Sequence, residues 1–270
     1  LARMHNIPLI MFDVPYNNSV EVGDERVAYL RGQFDDAIRQ LEKISGRQWD
    51  EERFAQVCAN ANRTAQAWLK VCAYCQYKPS PFSGFDLFNH MAVVVTARCK
   101  VEAAQAFEEL AAELEQNVRE GRSTWRYAEN HRIMFEGIPC WPKLQALFKP
   151  LKEKGINTTA VVYAPAFGFV YNDLDEMMRA YCKAPNSVCL ETGVAWREGI
   201  CRENKVDGIL VHYNRSCKPW SGYMPEMQRR FHQDLGVPVV GFDGDQADPR
   251  NFTEAQYNTR VEGLAEIMDS

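Results

Sequence analysis

The feature that most constrains the fold is an alternation of short apolar runs with helix-length amphipathic segments, which begins at about Tyr127. Parallel strands need long crossovers, which are usually helices, so this alternation is typical of a parallel sheet flanked by helices. The sequence therefore predicts the α/β class, with a four-stranded, parallel, doubly wound, Rossmann-like domain and right-handed crossovers. We interpret four runs as strands: His131–Gly137, Thr158–Tyr163, Gly208–Tyr213 and Val237–Asp243.

The preceding stretch is predicted to be helical. Apolar residues recur at three- and four-residue steps between Glu25 and about Ile44, which indicates an amphipathic helix. Asp50 is a favourable N-cap for a second helix that runs to about Gln76. Two further helices are predicted over Phe85–Val95 and Glu102–Arg119.

An apolar run, Ile7–Phe12, stands before the helices and has the pattern of a buried strand. The chain starts at Leu1 without a Met, so we interpret residues 1–20 as the last strand of a truncated N-terminal α/β domain. The predicted organisation is this strand, a helical region over residues 21–126 and a Rossmann-like domain over residues 127–270.

Charge and composition exclude several classes of partner. The 270 residues include 31 Lys and Arg against 36 Asp and Glu, a formal net charge of -5, so no basic excess favours nucleic acid. No apolar run approaches the ~20 residues that span a bilayer. Nine cysteines, an odd number, do not fit a secreted disulfide scaffold. We expect a cytoplasmic protein with reduced thiols and with neither nucleic acid nor membrane as a partner.

The loops that follow the strands are the expected place for a site, because doubly wound sheets bind ligands beyond the carboxyl ends of their strands. Cys217 lies in the third such loop between Arg215 and Lys218, and cations favour the thiolate form that binds metal. The alternative is a small residue that packs in a loop. Cys140 lies in the first loop, where we favour packing.

Two further groups could carry metal or redox chemistry. Cys72 and Cys75 form a CxxC pair, but they lie near the end of a predicted helix and no second pair completes a zinc site. Packing is therefore favoured for both. Three histidines without a partner at metal-ligand spacing are also read as structural, although the second lies in the strand that leads to Cys217: His131, His212 and His232.

Three aspartates follow the last predicted strand. Asp243, Asp245 and Asp248 could bind a cation, or they could cap the final helix, predicted over Thr253–Met268. The segment lacks the glycine pattern of a phosphate loop. We favour the capping interpretation.

Several segments together resemble the family of 2-hydroxyacyl-CoA dehydratases and benzoyl-CoA reductases, and within it the beta subunits of (R)-2-hydroxyglutaryl-CoA dehydratases. These segments are spread over most of the chain, and the last two are distinctive in combination. They are Lys78–Asp86, Met134–Pro142, His212–Ser221 and Gly244–Phe252.

The resemblance implies an oxygen-sensitive heterodimer in which three cysteines of each subunit hold a [4Fe-4S] cluster. An ATP-dependent iron–sulfur activator supplies one electron, the acyl-CoA thioester becomes a ketyl radical anion, and water is then eliminated. In this family the catalytic cluster belongs to the alpha subunit, so a beta subunit would relay an electron. Some relatives also carry a flavin, which makes FMN a possible cofactor.

Carried onto this chain, the resemblance assigns Cys217 as a metal ligand, with Ser216 and Lys218 as donors beside the cofactor. It assigns no catalytic residue, and it places the other cysteine ligands in a domain before residue 1. The implied activity is a hydro-lyase that converts (R)-2-hydroxyglutaryl-CoA to glutaconyl-CoA, with the alpha subunit as partner.

Two other functions remain open. The chain could be a non-catalytic partner subunit, of a related dehydratase or a benzoyl-CoA reductase, that has no cluster of its own. It could also be an ordinary nucleotide- or acyl-CoA-binding α/β enzyme, which should have a glycine-rich first loop. That loop has only Gly137 before Pro139, so this hypothesis is the weakest.

Overall fold

A computed structural model describes residues 1–270, and its first half is largely helical. The Asp50 carboxylate accepts the Arg53 amide at 3.0 Å, which is the predicted N-cap. Ser83 and Asp86 form a capping box at the start of another helix. The helices of this half are α1 (Ala2–His5), α2 (Asp24–Ser45), α3 (Glu51–Ala73), α4 (Gly84–Thr96) and α5 (Val101–Arg119).

The second half contains a four-stranded, all-parallel sheet, which confirms the predicted fold class. The strand order is β2-β1-β3-β4, so the direction of winding reverses between β1 and β3. The strands are β1 (His131–Glu136), β2 (Ile156–Val161), β3 (Gly208–Asn214) and β4 (Val239–Gly244). The helices are α6 (Leu144–Glu153), α7 (Leu174–Cys182), α8 (Leu190–Asn204), α9 (Lys218–Ser221), α10 (Met224–Leu235) and α11 (Glu254–Asp269).

Both faces of the sheet are buried, which explains why its strands are nearly continuous apolar runs. Successive side chains of a strand point to opposite faces. Ile133 and Phe135 thus join the core formed with α6, α11 and the helical region. Met134, between them, joins a second core formed with α8 and α10.

The strand predicted over Ile7–Phe12 does not form. This segment is coil, and Leu9 and Met11 are 68% and 75% exposed. A strand is stable only when a neighbour accepts and donates its backbone hydrogen bonds, and no strand of the sheet lies beside this segment. The division into three domains remains a prediction.

One buried cation ties the helical region to the sheet. Arg132 of β1 donates to the carbonyl oxygens of Cys75 at 2.6 Å and Tyr77 at 2.9 Å, both just beyond α3. It also donates to the carbonyl of Asn204, at the end of α8, and pairs with Glu129 at 2.7 Å.

None of the helices is long and apolar enough to cross a lipid bilayer.

Candidate functional site

A cavity of about 580 Å³ opens at the carboxyl edge of the sheet, where the reversal of winding predicts a ligand. The loops after all four strands contribute to it, together with the end of α7 and one residue of α8. Its lining includes Ile138, Tyr163, Phe167, Phe169, Tyr181, Lys183, Asn186, Trp196, Cys217, Trp220 and Gln246.

Aromatic rings form much of the wall. The ring of Tyr163 lies 5.4 Å from that of Phe167 and 6.0 Å from that of Trp220, edge to face in both cases. The ring centroids of Phe169 and Tyr181 lie 5.4 Å apart. Burial raises the pKa of the Tyr163 phenol, so this group is neutral and can donate a proton to a hydrogen bond. The wall therefore suits an apolar ligand that ends in a hydrogen-bond acceptor.

The part of the lining that follows β2, residues 163–169, forms the β2 wall, and contacts from the helical region hold it in place. The guanidinium of Arg98, just beyond α4, donates to the carbonyl oxygens of Phe167 at 2.8 Å and of Phe169. Its central carbon also lies 4.0 Å from the centroid of the Phe169 ring. Trp68 of α3 donates its indole N–H to the Ala164 carbonyl at 3.0 Å. The sequence did not suggest either residue, because both lie far from the loop in the chain.

Cys217 is half-buried and lines the cavity, at the N-cap of the short helix α9. Its amide donates to the Asn214 carbonyl at 3.1 Å, and its carbonyl accepts the Ser221 amide at 3.0 Å. The flanking cations point elsewhere: Arg215 pairs with Asp243 at 3.2 Å, and Lys218 is exposed outside the cavity. The structure thus places the predicted thiol at the cavity without its predicted cations.

Ser216 braces the loop and does not line the cavity. Its hydroxyl donates to the buried Asp245 carboxylate, which also accepts the amides of Ala247 at 2.8 Å and Asp248 at 2.9 Å. These hydrogen bonds, that from Ser216 foremost, hold the pKa of Asp245 far below its usual range. Asp245 is therefore a charged brace between the loops after β3 and β4.

Asp245 and Asp248 cap turns, though not the final helix, whereas Asp243 pairs with Arg215. Asp248 accepts the Arg250 amide at 3.0 Å and so caps the 3₁₀ turn before α11. The N-cap of α11 is Thr253, whose side chain makes no capping bond. The favoured interpretation was thus right about capping and wrong about the helix, because the chain makes an extra turn there.

Asn214, the last residue of β3, was missed by sequence reasoning. It is fully buried, and its amide nitrogen donates to the Gln246 side chain at 2.9 Å. Its side-chain oxygen accepts the amides of Ser216 at 3.3 Å and Gln246 at 3.2 Å. The sequence signal that could have indicated Asn214 is a polar residue at the end of an apolar strand.

Cys140 and His212 form a buried neutral pair outside the cavity lining. The Cys140 sulfur lies 3.3 Å from His212 Nε2, while His212 Nδ1 donates to the Ile138 carbonyl and the ring stacks on Phe242 at 4.9 Å. Burial raises the pKa of Cys140 to about 11 and lowers that of His212. The thiol therefore donates to an uncharged imidazole, as a packing role requires.

A second buried pair lies beside the cavity and was also missed. Glu136, the last residue of β1, meets Arg197 of α8 at 2.9 Å, and both side chains are fully buried. Arg197 also lies 5.4 Å from the ring centroid of Trp220, which lines the cavity. Burial raises the pKa of Glu136, against the opposing attraction of Arg197. The pair thus lies next to Trp220, a residue of the cavity lining.

The CxxC pair packs as favoured. Cys72 lies in α3 and Cys75 in the 3₁₀ turn that follows. Burial raises the pKa of both thiols, to about 12 for Cys75. Thiols of this kind stay protonated and are poor nucleophiles and ligands.

The chain's own residues fit one ligand of an iron–sulfur cluster and not a complete set. All nine cysteines are free, and no three His, Cys, Asp or Glu side chains gather where they could hold a metal ion. Cys217 is the single thiol that lines the cavity. A [4Fe-4S] cluster needs about four ligand positions.

Comparisons with known proteins match this chain along its whole length. The family model described as 2-hydroxyglutaryl-CoA dehydratase, D-component, matches residues 1–268. The chain is 71% identical over 270 residues to subunit alpha of (R)-2-hydroxyglutaryl-CoA dehydratase from Acidaminococcus fermentans, covering 100% of this chain and 57% of that protein.

Two further relatives act on other acyl groups by name. The (R)-phenyllactyl-CoA dehydratase alpha subunit of Clostridium sporogenes is 52% identical over 268 residues, which are 99% of this chain and 66% of that protein. The (R)-2-hydroxyisocaproyl-CoA dehydratase alpha subunit of Clostridioides difficile is 45% identical over 272 residues, 100% of this chain and 67% of that protein. All three are named alpha subunits, so the family matches the predicted one and the subunit label differs from the predicted beta.

Proposed function

Because the chain belongs to the family of the 2-hydroxyglutaryl-CoA dehydratase D-component, as the resemblance predicted, we propose that it is part of an alpha-type subunit of a 2-hydroxyacyl-CoA dehydratase. It spans 57% of the first relative, so the activity of a whole subunit is part of this proposal. The observation that carries the proposal is the aromatic cavity with Cys217 in its wall.

The proposed reaction removes water from a 2-hydroxyacyl-CoA thioester. The hydroxyl of C2 and one hydrogen of C3 leave, and a double bond forms between these carbons; (R)-2-hydroxyglutaryl-CoA would give glutaconyl-CoA. The aromatic walls exclude water from the acyl group, since they offer few polar partners. The neutral phenol of Tyr163 can orient the thioester carbonyl by donating to its oxygen.

We propose that Cys217 supplies one ligand of a [4Fe-4S] cluster, and that the other ligands come from outside residues 1–270. Such a cluster supplies one-electron chemistry when it is bound. Because these relatives are named alpha subunits, we do not assign to this chain the electron-relay role of a beta subunit. An ATP-dependent activator as electron donor, a second, different subunit as partner and FMN as a further cofactor remain proposals from the family resemblance, and we assign no flavin site to these residues.

The Cys217 proposal is tested by replacing Cys217 with Ala in the complete subunit, purified anaerobically with its partner. We expect the variant to lose iron and sulfide and to lose dehydration of (R)-2-hydroxyglutaryl-CoA, because the cluster loses a ligand. Iron, sulfide and flavin analysis together with product detection measure this. The matched control is Cys99→Ala, which removes an exposed thiol outside the cavity.

The outcomes separate the competing functions. Unchanged iron and sulfide in the Cys217→Ala complex would contradict the ligand assignment. A wild-type complex whose alpha-type subunit contains no iron would favour the cluster-free partner subunit. A wild-type complex with iron that dehydrates no 2-hydroxyacyl-CoA would refute the proposed reaction.

A further inference from the structure

The cavity has one charged residue in its lining. Lys183, directly after α7, is exposed there, and no acidic side chain lines the same space. The other polar groups of the lining include the neutral amides of Asn186 and Gln246 and the phenols of Tyr163 and Tyr181. A ligand of this cavity therefore meets an apolar surface with a single positive charge.

The other charged side chains of α7 bond to partners other than Lys183. Asp175 of α7 pairs with Arg31 at 2.8 Å, and Arg179 pairs with Asp24 at 2.6 Å. Glu176 accepts the amide of Asn172 at 2.7 Å. None of the ion pairs of α7 includes Lys183, so its ammonium is available to an anion from outside the chain.

Position and chemistry together restrict that anion. Lys183 belongs to the α7 end of the cavity, whereas Cys217 and Trp220 belong to the β3 loop. Aromatic rings such as those of Phe169 and Tyr181 line the wall on the α7 side. A carbon chain that contacts these rings and ends in a carboxylate matches both the apolar wall and the charge.

From this arrangement we propose that Lys183 binds the distal carboxylate of the acyl group and so selects dicarboxylic 2-hydroxyacyl-CoA over apolar acyl-CoA. The inference rests on the proposed function and adds a specificity-determining residue to it. A 2-hydroxyglutaryl group carries such a second carboxylate, whereas phenyllactyl and 2-hydroxyisocaproyl groups end in apolar carbon. An apolar acyl end would leave the Lys183 ammonium without a partner in the cavity.

The test is a specificity ratio measured on the complete subunit with its partner. We expect Lys183→Met to lower kcat/KM for (R)-2-hydroxyglutaryl-CoA about tenfold, mostly through KM, because one charge pair is lost. The value for (R)-2-hydroxyisocaproyl-CoA should not fall. Lys183→Glu should lower kcat/KM for (R)-2-hydroxyglutaryl-CoA further, since like charges repel. Lys183→Arg keeps the positive charge and should keep most of the wild-type kcat/KM. Lys43→Met, an exposed lysine of α2 outside the cavity, is the control.

A binding measurement separates this inference from the proposed reaction. Glutaryl-CoA and 4-methylpentanoyl-CoA lack the 2-hydroxyl group, so calorimetry can compare their affinities without turnover. Lys183→Met should weaken the binding of glutaryl-CoA and leave the affinity for 4-methylpentanoyl-CoA unchanged. Equal weakening of both ligands would assign Lys183 to the phosphates of CoA and would overturn the inference. Unchanged affinity for both ligands would also overturn it. If the wild-type complex binds glutaryl-CoA through Lys183 but dehydrates nothing, the proposed reaction fails while the carboxylate site stands.

Discussion

At the scale of single residues, the carboxyl edge of the sheet contains buried polar groups, and Asn214 and His212 among them have hydrogen-bond partners close by. Asn214 holds the loops after β3 and β4 together, and Glu136 with Arg197 supports Trp220. His212 is buried as a neutral ring that bonds to a carbonyl on one side and a thiol on the other. Burial of Asn214 and His212 is tolerated because these partners replace the lost water.

His212 gives a pH-dependent prediction. Its pKa is lowered in the folded state from an ordinary value of 6.5, so the unfolded chain binds more protons just below that pH. Stability should therefore fall as the pH drops below about 6.5, by up to about 1.4 kcal/mol per pH unit from this group. Denaturant unfolding between pH 7 and pH 5 measures the slope.

The variant His212→Gln should flatten that slope. Phe242→Leu is the control, because it removes the stacked ring and keeps the titrating imidazole. It should lower stability at every pH and leave the slope in place. A slope that His212→Gln does not change would mean that other groups carry the pH dependence.

At the scale of elements, the β2 wall of the cavity is held by residues that are distant in sequence. Arg98 lies over Phe169 and donates to two carbonyls of this wall, and its own charge is partly desolvated, since burial lowers its pKa. The helical region therefore contributes to the order of this wall.

Removal of the Arg98 side chain should loosen this wall. In Arg98→Met the carbonyls of Phe167 and Phe169 lose their donor, so we expect amide hydrogen exchange in residues 165–171 to become about tenfold faster. Exchange followed by mass spectrometry measures it. Arg122→Met, which removes an exposed partner of Glu120, should leave these peptides unchanged. Equal exchange in both variants would contradict the role of Arg98.

Much of the architecture was predictable, because it depends on local pattern. Apolar spacing and the Asp50 cap located α2 and α3, and the alternation of runs located the parallel sheet. Ile7–Phe12 failed because strand formation depends on a neighbour, which the segment itself does not encode. Within the site, the position of Cys217 followed from the strand–loop rule, whereas Arg98 comes from another part of the chain. Contacts over such separations have no local pattern.

At the scale of the whole molecule, Arg132 connects the two halves of the chain. It is 1% exposed and bonds to backbone on both sides of the junction, after α3 and at the end of α8. Its partner Glu129 is also buried and accepts the Ser80 amide at 3.1 Å. The junction thus adds specific polar contacts to the apolar core that the two halves share, and no disulfide joins the halves.

Loss of Arg132 should destabilise the whole chain. Arg132→Met leaves the Glu129 carboxylate buried without its cation, which typically costs about 3–5 kcal/mol. Urea unfolding measures the loss. The double variant Arg132→Met with Glu129→Gln should recover part of it, because the uncompensated charge is gone. A double variant no more stable than the single one would show that the lost backbone bonds dominate.

The construction of the cavity from separate loops has a consequence for evolvability. Most of its walls follow the ends of the strands or the end of α7, outside the packed faces of the sheet, so a mutation in one wall does not require compensating changes in the sheet. Substrate preference can therefore drift by single neutral steps while the scaffold stays constant. A mutant library confined to residues 163–169 and 180–186 should yield altered acyl preference at little cost in soluble expression.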